Sequence, residues 1–489
     1  MSRPPNILLF VSDQQQWQSI CGRSPAQSPH IDRLAAEGMC FERSYATIAL
    51  CCPSRAALLS GQFPFHNGIF NQVHVPERTR SDLFPQTMTY SQQLRQAGYR
   101  LGYVGKWHAS WDRSPLHFGF HELRAPSGCA PASLVNAPLG AEDSYDCYRA
   151  QCGAGTRTDA LRVEGLVRWP GTGFRPFYGI DHTPEEATRL YFEVSHGIAM
   201  IERYAQQEQP WFITINVVEP HDPYFPLAVY AAHYDPASVA LPASWEDQFE
   251  HKPYMNRRDA AMWSDLSEDQ VRTAIARYWA YCEQVDTQVG RVLEALDRTG
   301  QRENTIVICT SDHGDMVGAH RQFIKGWQPY EETYRVPLIV HWPGHIQPGS
   351  TCTHLVQLHD LAHTFVELAE ATPILPADGR SLIPLFREPD RPDWDDAILC
   401  MYYGGEFLYT QRMLITRRYK YVFNGFDVDE VYDLALDPHE LCNVVDDPAY
   451  TGVVVELRDQ LYALMERYGD PYAANAYGAP RYLSRSLKR

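Results

Sequence analysis

No apolar run in this 489-residue sequence reaches the ~18 residues that a membrane-spanning helix requires. The amino-terminal run Asn6-Ile7-Leu8-Leu9-Phe10-Val11 follows Pro4-Pro5 directly and ends without a small-residue cleavage site, so the sequence predicts a mature, cytoplasmic start. Positive charge is in deficit: 43 Lys and Arg face 60 Asp and Glu, a net charge of −17. That balance argues against nonspecific binding to nucleic acid or to an anionic membrane surface. An anionic substrate remains admissible, because a local cluster of Lys, Arg and His can hold one against the global field. No internal repeat or low-complexity tract appears. The twelve cysteines, in a chain without a secretory leader, are expected to be reduced thiols, so cysteine chemistry is catalytic or incidental.

What is present is a recurring local pattern, a short apolar run that stops at a chemically capable residue. Ile7 to Val11 ends at Ser12-Asp13, Tyr103-Val104 at Gly105-Lys106-Trp107-His108, Phe212 to Val218 at Glu219-Pro220-His221, and Ile306 to Cys309 at Thr310-Ser311-Asp312-His313. Continuous rather than alternating runs suit strands buried on both faces of a largely parallel sheet. Helical spacing lies between them, at Ile31 to Glu37, with Ser28 expected as the cap and Pro29 as the first helical residue, and at Glu268 to Leu296 with Val271, Ile275, Tyr278, Val285, Val289, Val292 and Leu293. The predicted fold is α/β, a large mostly parallel sheet flanked by helices. In such sheets ligands bind beyond the carboxyl ends of the strands, where the four polar endings would meet.

After Gly379 the texture changes to Glu388-Pro389-Asp390-Arg391-Pro392-Asp393, then to short β-like pieces at Ala397 to Met401, Met413 to Thr416, Tyr419 to Phe423 and Val431 to Leu434. A last helix carries Leu457, Leu461, Leu464 and Met465 on one face and stops at Gly469. The expectation is a catalytic domain over residues 1–378 and a smaller α+β domain on an antiparallel sheet over 379–489. The polar tail from Asp470 would cover a neighbouring subunit, leaving room for a homo-oligomer. Residues 126–182, with Cys129, Glu142, Asp143, Asp146, Cys147 and Cys152, show no pattern that assigns them a role and are expected to shape a pocket.

Cys51-Cys52-Pro53-Ser54-Arg55 leads into Ala56-Ala57-Leu58-Leu59-Ser60-Gly61, a helical stretch whose amino terminus would offer free N–H groups and a positive dipole end to an anion. Asp13-Gln14 and Asp312-His313 each follow a strand and offer hard donors.

The string Cys51 to Gly61 resembles the signature of the sulfatase family, in which a Cys two before Pro and four before Arg is oxidised to formylglycine. By that register Cys51 is modified and Cys52 holds the variable position. The resemblance implies a maturation enzyme as partner and a small anionic ester as substrate. An aldehyde hydrate suits the chemistry: one hydroxyl attacks sulfur, and deprotonation of the other expels sulfate and restores the aldehyde. The resemblance further implies that Asp13, Gln14, Asp312, His313 and the converted Cys51 bind one divalent cation, and that Arg55 supports the nucleophile. Lys106 and Lys325 would hold the sulfate, with His108 assisting release and His221 protonating the leaving oxygen. Gln14 and His313 depart from the commoner Asp-Asp and Asp-Asn forms and are similar to phosphonate monoester hydrolases and choline-sulfatase-like members. The cation is therefore read as Ca²⁺ or Mn²⁺, oxygen ligands favouring the first and a His nitrogen the second. Phosphonate monoester or phosphodiester hydrolysis, or silent binding of a sulfated ligand, are the alternatives. Glu430 to Leu434 and Asp437-Pro438-His439-Glu440 resemble a carboxyl-terminal family motif and are read as structural. His66, Asn67, Asn71 and Trp327 to Tyr330 could contact substrate, with a turn or packing role at least as well supported by the sequence.

Overall fold

The computed structural model describes residues 4–75, 78–129, 131–134, 139–152, 163–405, 408–425 and 427–474. The strands, in chain order, are β1 (Asn6–Ser12), β2 (Met39–Tyr45), β3 (Arg100–Lys106), β4 (Glu122–Ser127), β5 (Val163–Arg168), β6 (Pro176–Asp181), β7 (Trp211–Asn216), β8 (Thr305–Ser311), β9 (Arg335–Val336), β10 (Leu338–His341), β11 (Ser350–Gln357), β12 (Ala397–Tyr402), β13 (Gln411–Thr416), β14 (Tyr419–Phe423) and β15 (Glu430–Asp433). The main sheet runs β11-β2-β10-β8-β1-β7-β3-β4, with β9 beside β2. Strands β8, β1, β7, β3 and β4 are mutually parallel. Strand β10 runs against both of its neighbours.

Strand β1 shows why a continuous apolar run was needed. Side chains alternate across a strand. Ile7, Leu9 and Val11 accordingly enter one core with Ala56, Leu59, Leu94, Leu361 and Phe365. Leu8 and Phe10 enter the opposite core with Ile31, Leu34, Val194, Ile201, Val289 and Leu296. Each of these residues, fully buried, contributes roughly 1.5–3 kcal/mol relative to exposure. Helices thus cover both faces: Cys51–Ser60, Tyr90–Gln96 and Asp360–Leu368 on one, Pro29–Glu37, Arg189–Tyr204 and Glu268–Arg298 on the other.

The long helix begins at a reciprocal capping box, in which Ser267 Oγ accepts from the Gln270 N–H at 3.3 Å and Gln270 Oε1 accepts from the Ser267 N–H at 2.9 Å. Ser28 behaves otherwise. It precedes the helix at Pro29, but its hydroxyl donates to Asp32 Oδ1 at 2.7 Å. The amides of His30 and Ile31 donate instead to the Asp286 carboxylate, at 3.0 and 2.8 Å. A side chain 255 residues away thus fills the capping role, which no local pattern encodes.

A second, antiparallel sheet runs β12-β13-β14-β15. Its inner residues Leu399, Met401, Leu414 and Tyr421 pack on Leu457, Leu461, Leu464 and Met465 of the helix Thr451–Tyr468. Gly469 ends that helix in the left-handed region, φ 69°. The tail proposed for a subunit contact lies outside the described residues from 475 onward. Between β4 and β7, the hairpin β5–β6 brings Trp169 and Arg175 to the cavity described below. No helix among the described residues is long and apolar enough to cross a membrane. The twelve cysteines form no disulfide.

Candidate active site

Strands β8, β1, β7 and β3 lie side by side and parallel, so their carboxyl ends open at one edge and bring Asp312, Asp13, Asn216 and Lys106 together. The approach before Lys106 depends on Gly105, φ 82°: a Cβ there would lie 2.0 Å from the Asn216 carbonyl oxygen of β7. The helix Cys51–Ser60 points its amino terminus at this edge, with Leu50 as N-cap and Cys51 as its first residue. Ser54 Oγ ties the helix down by donating to the Asp312 carbonyl at 2.6 Å.

Arg55, one turn along, organises the carboxylates. Its Nε donates to Asp312 Oδ2 at 2.7 Å, its Nη2 to Asp13 Oδ2 at 3.2 Å and its Nη1 to Asn216 Oδ1 at 3.3 Å. Lys106 Nζ also donates to Asp13 Oδ2. The Cys51 sulfur lies 3.2 Å from His313 Nε2 and 3.8 Å from Asp13 Oδ1. His313 Nδ1 is committed to the Gly314 carbonyl at 2.9 Å, which leaves Nε2 to face the cluster. One ligand atom each from Asp13, Cys51, Asp312 and His313 falls within 4.8 Å of the others, all four residues being buried. Two carboxylates, an oriented imidazole and a cysteine converging on one point fit a divalent cation.

Gln14 sits beside this group. Its backbone, φ 68°, is held by its N–H to Asp312 Oδ1 at 3.1 Å and by its carbonyl, which accepts from the Tyr278 hydroxyl at 2.8 Å. Its amide donates to Asp222 and Asp315, and its Oε1 accepts from Lys325 Nζ. Lys325 Nζ also meets His221 Nε2, while His221 Nδ1 bonds the Asp222 carbonyl at 2.6 Å. His108 also hydrogen-bonds the Cys51 sulfur.

The charges act on one another. Burial raises the Asp13 pKa and so does Cys51, but the Lys106, His221 and Arg55 charges outweigh them and hold it below the ordinary carboxylate range. Asp312 moves upward, because burial, the adjacent Asp13 and Cys51 prevail over Arg55 and His313. The asymmetry has a cause: Lys106 is bonded to Asp13 and not to Asp312. Burial raises the Cys51 thiol, yet Lys106, Lys325 and His313 pull it well below its ordinary value. Burial disfavours the His313 cation, while Asp312 and Cys51 raise its pKa to about 9. Burial and the Lys106 charge lower His108 to about 4 against the pull of Cys51.

All ten residues singled out in the sequence, Asp13, Gln14, Cys51, Arg55, Lys106, His108, His221, Asp312, His313 and Lys325, therefore occupy one neighbourhood. Sequence reasoning missed Asn216, Asp222, Asp315 and Tyr278. Asp222 and Asp315 lie one and two residues beyond the histidines that were noted, which was the available signal. The group opens into a cavity of about 860 Å³ whose walls include Trp169, Arg175, Arg189, Arg258, Trp327 and Tyr402. Elsewhere His66 pairs with Asp378 at 2.7 Å and Asp143 with Arg124 at 2.9 Å, both structural contacts outside the cavity walls.

This fold, with four candidate metal ligands at the carboxyl edge of its sheet, suits a class of ester hydrolase. The sequence pattern of the Sulfatase family matches residues 5–371, and that of the carboxyl-terminal region of N-sulphoglucosamine sulphohydrolase matches residues 318–467. The chain belongs to the sulfatase family and is a sulfuric ester hydrolase. It is similar to the uncharacterized sulfatase YidJ of Escherichia coli K12, at 28% identity over 96% of this chain and 88% of that one. It is also similar to a choline-sulfatase of Rhizobium meliloti, at 27% identity over 91% of this chain and 83% of that one. In structure it resembles the phosphonate monoester hydrolase of Agrobacterium radiobacter, with a TM-score of 0.77, 22% identity and coverage of 95% and 96%.

Proposed function

We propose that the protein hydrolyses sulfate esters at Cys51 after oxidation of that residue to formylglycine by a maturation enzyme, with one divalent cation held by Asp13, Asp312, His313 and the converted side chain. Gln14 joins the ligands by releasing Lys325. The observation that carries this reading is the Cys51 side chain itself, set at a helix amino terminus between two carboxylates and His313 and facing Lys106. The encoded sulfur stands where the hydrate oxygens of the aldehyde would be. Bound together, cation and aldehyde supply Lewis-acid polarisation of the ester oxygens and an oxygen nucleophile in place of a thiol.

The chain's own residues do the rest. Arg55 holds Asp13 and Asp312 in fixed orientation, a bidentate task suited to a guanidinium. Lys106 and Lys325 present positive charge to the group being transferred. His221, anchored through Nδ1 and lining the cavity, acts as the imidazolium: once Lys325 has turned from Nε2 to the transferred group, Nε2 carries the proton that passes to the leaving oxygen. His108, neutral at pH 7 because its pKa is lowered to about 4, accepts the proton whose removal frees sulfate. The imidazole of His313 favours Mn²⁺ over the Ca²⁺ that an all-oxygen site takes. The same reading divides the chain at 378/379, with Tyr402 and Gly405 reaching the cavity wall from the carboxyl-terminal part.

Mass analysis of the Cys51 peptide after coexpression with a maturation enzyme is expected to show the loss of mass that converts thiol to aldehyde. Cys51→Ala is expected to lower kcat on the order of 10³-fold, roughly 4 kcal/mol of barrier; undiminished turnover in that variant sinks the mechanism. A second reading keeps the site and replaces sulfur by phosphorus. It is favoured by His313, a nitrogen ligand where the commoner family form has an amide oxygen. A sulfate preference in kcat/KM of less than about tenfold over a phosphonate monoester, roughly 1.4 kcal/mol, supports it.

A further inference from the structure

Cys52, the residue after the nucleophile, has no part in the chemistry above, yet it is buried against functional groups. Its sulfur, one ring nitrogen of His74 and one of His108 lie within 4.8 Å of one another. Cys52 Sγ is 4.0 Å from His74 Nδ1, and the two imidazole rings are 5.2 Å apart between centroids. His108 Nδ1 is buried without a hydrogen-bond partner, an arrangement that costs about 1–3 kcal/mol unless something occupies it. A tetrahedral ion at about 2.3 Å from sulfur and 2.0–2.1 Å from nitrogen keeps its ligands roughly 3.3–3.7 Å apart. The three donors therefore need to close by about an ångström to surround one ion, a movement within reach of exposed His74.

We propose that Cys52, His74 and His108 form a second metal site, for Zn²⁺, adjoining the nucleophile. One thiolate and two imidazoles are the donor set of a soft to borderline ion, whereas the carboxylate-rich group at Asp13 and Asp312 suits harder ones. Both histidines line the cavity, so the fourth position faces substrate space. Binding replaces the Cys52 S–H bond by a sulfur–metal bond and passes one proton to the buffer, with no change of oxidation state. Zinc at this site withdraws His108 from Cys51 and inhibits turnover, a consequence that rests on the role given to His108 above.

Co²⁺ reports the site independently of catalysis, because a thiolate ligand gives a charge-transfer band in the near ultraviolet. Full-length Cys51→Ala protein titrated with Co²⁺ is expected to show the band, Cys51→Ala/Cys52→Ser to lose it, and Cys51→Ala/His74→Ala to need at least about tenfold more cobalt. Absence of the band from Cys51→Ala, or its persistence after Cys52→Ser, overturns the site. Because His74 is exposed, its replacement provides a variant that stays folded. In converted enzyme, micromolar Zn²⁺ is expected to inhibit, and His74→Ala to raise the inhibitory concentration at least about tenfold; equal inhibition of both proteins counts against the proposal. Failure of every converted protein to cleave sulfate esters would defeat the catalytic reading and leave the cobalt result intact.

Discussion

His313 decides how the cation site responds to pH. Its Nδ1 is spent on the Gly314 carbonyl, so a metal must take Nε2. Burial acts against the imidazolium, but Asp312 and Cys51 lift its pKa to about 9. A raised pKa means that the free site carries this proton at neutral pH, and a cation has to displace it. Against its burial, the Cys51 thiol is shifted the other way, well below its ordinary value, by Lys106, Lys325 and His313, and Asp312 is shifted upward by burial and the adjacent Asp13. In unconverted protein, Mn²⁺ affinity is expected to rise about tenfold per pH unit from pH ~6.5 to ~8.5 and to level off above pH ~9, with about one proton released. Calorimetry in two buffers of different ionisation enthalpy measures this directly. An affinity flat across that range removes His313 from the ligand set.

At the scale of elements, the long helix Glu268–Arg298 reaches into the site through one hydroxyl. Tyr278 Oη donates to the Gln14 carbonyl and accepts from the Gln16 N–H, both at 2.8 Å, clamping the turn that carries Asp13 and Gln14. Tyr278→Phe leaves both backbone groups buried and unpaired, at a cost of about 1–3 kcal/mol. The expected result is a lower denaturant midpoint together with weaker cation binding; unchanged binding would show that the clamp serves stability alone. Tyr278 also marks the limit of what the sequence discloses. Its helical spacing was legible and its burial follows from it, but the hydroxyl's partners lie 264 and 262 positions away. The strand ends were legible because an apolar run that stops at Asp13, Lys106 or Asp312 is a local signal, and parallel pairing brings such ends to one edge. Asn216 was not, because its role comes only from Arg55, 161 positions distant. The cap at Ser28 failed for the same reason, a remote carboxylate having displaced the local hydroxyl.

Over the whole molecule, the smaller sheet is bound to the segment that leads into Cys51. Met401 N–H of β12 donates to the Thr47 carbonyl at 3.0 Å, and Tyr402 packs on Ile48 and Leu50. In the same sheet the buried Lys420 ammonium of β14 joins Glu331 at 2.9 Å, Glu440 at 2.6 Å and the Pro329 carbonyl at 3.0 Å. Lys420→Met takes the ammonium from two buried acids. It leaves Glu331 with Arg335 at 3.6 Å and the Tyr45 hydroxyl at 2.9 Å, and Glu440, already pushed up to about 8 by burial, without a paired cation among the described residues. Breaking a buried pair in this way costs about 3–5 kcal/mol. The loss is expected to appear as a fall in urea midpoint at pH 8 that shrinks at pH 5, where protonation relieves the stranded groups; a neutral effect at pH 8 would mean that the pair holds nothing together. One feature of the finished molecule bears on its history. Cys51 is 1% exposed and enclosed by the first turn of its own helix, so no second protein can close its active site around that side chain once the sheets have joined. If Cys51 is oxidised as proposed above, that oxidation must therefore precede folding. On that reading the unfolded chain offers Cys51 as an extended peptide, and each molecule that folds first keeps its thiol.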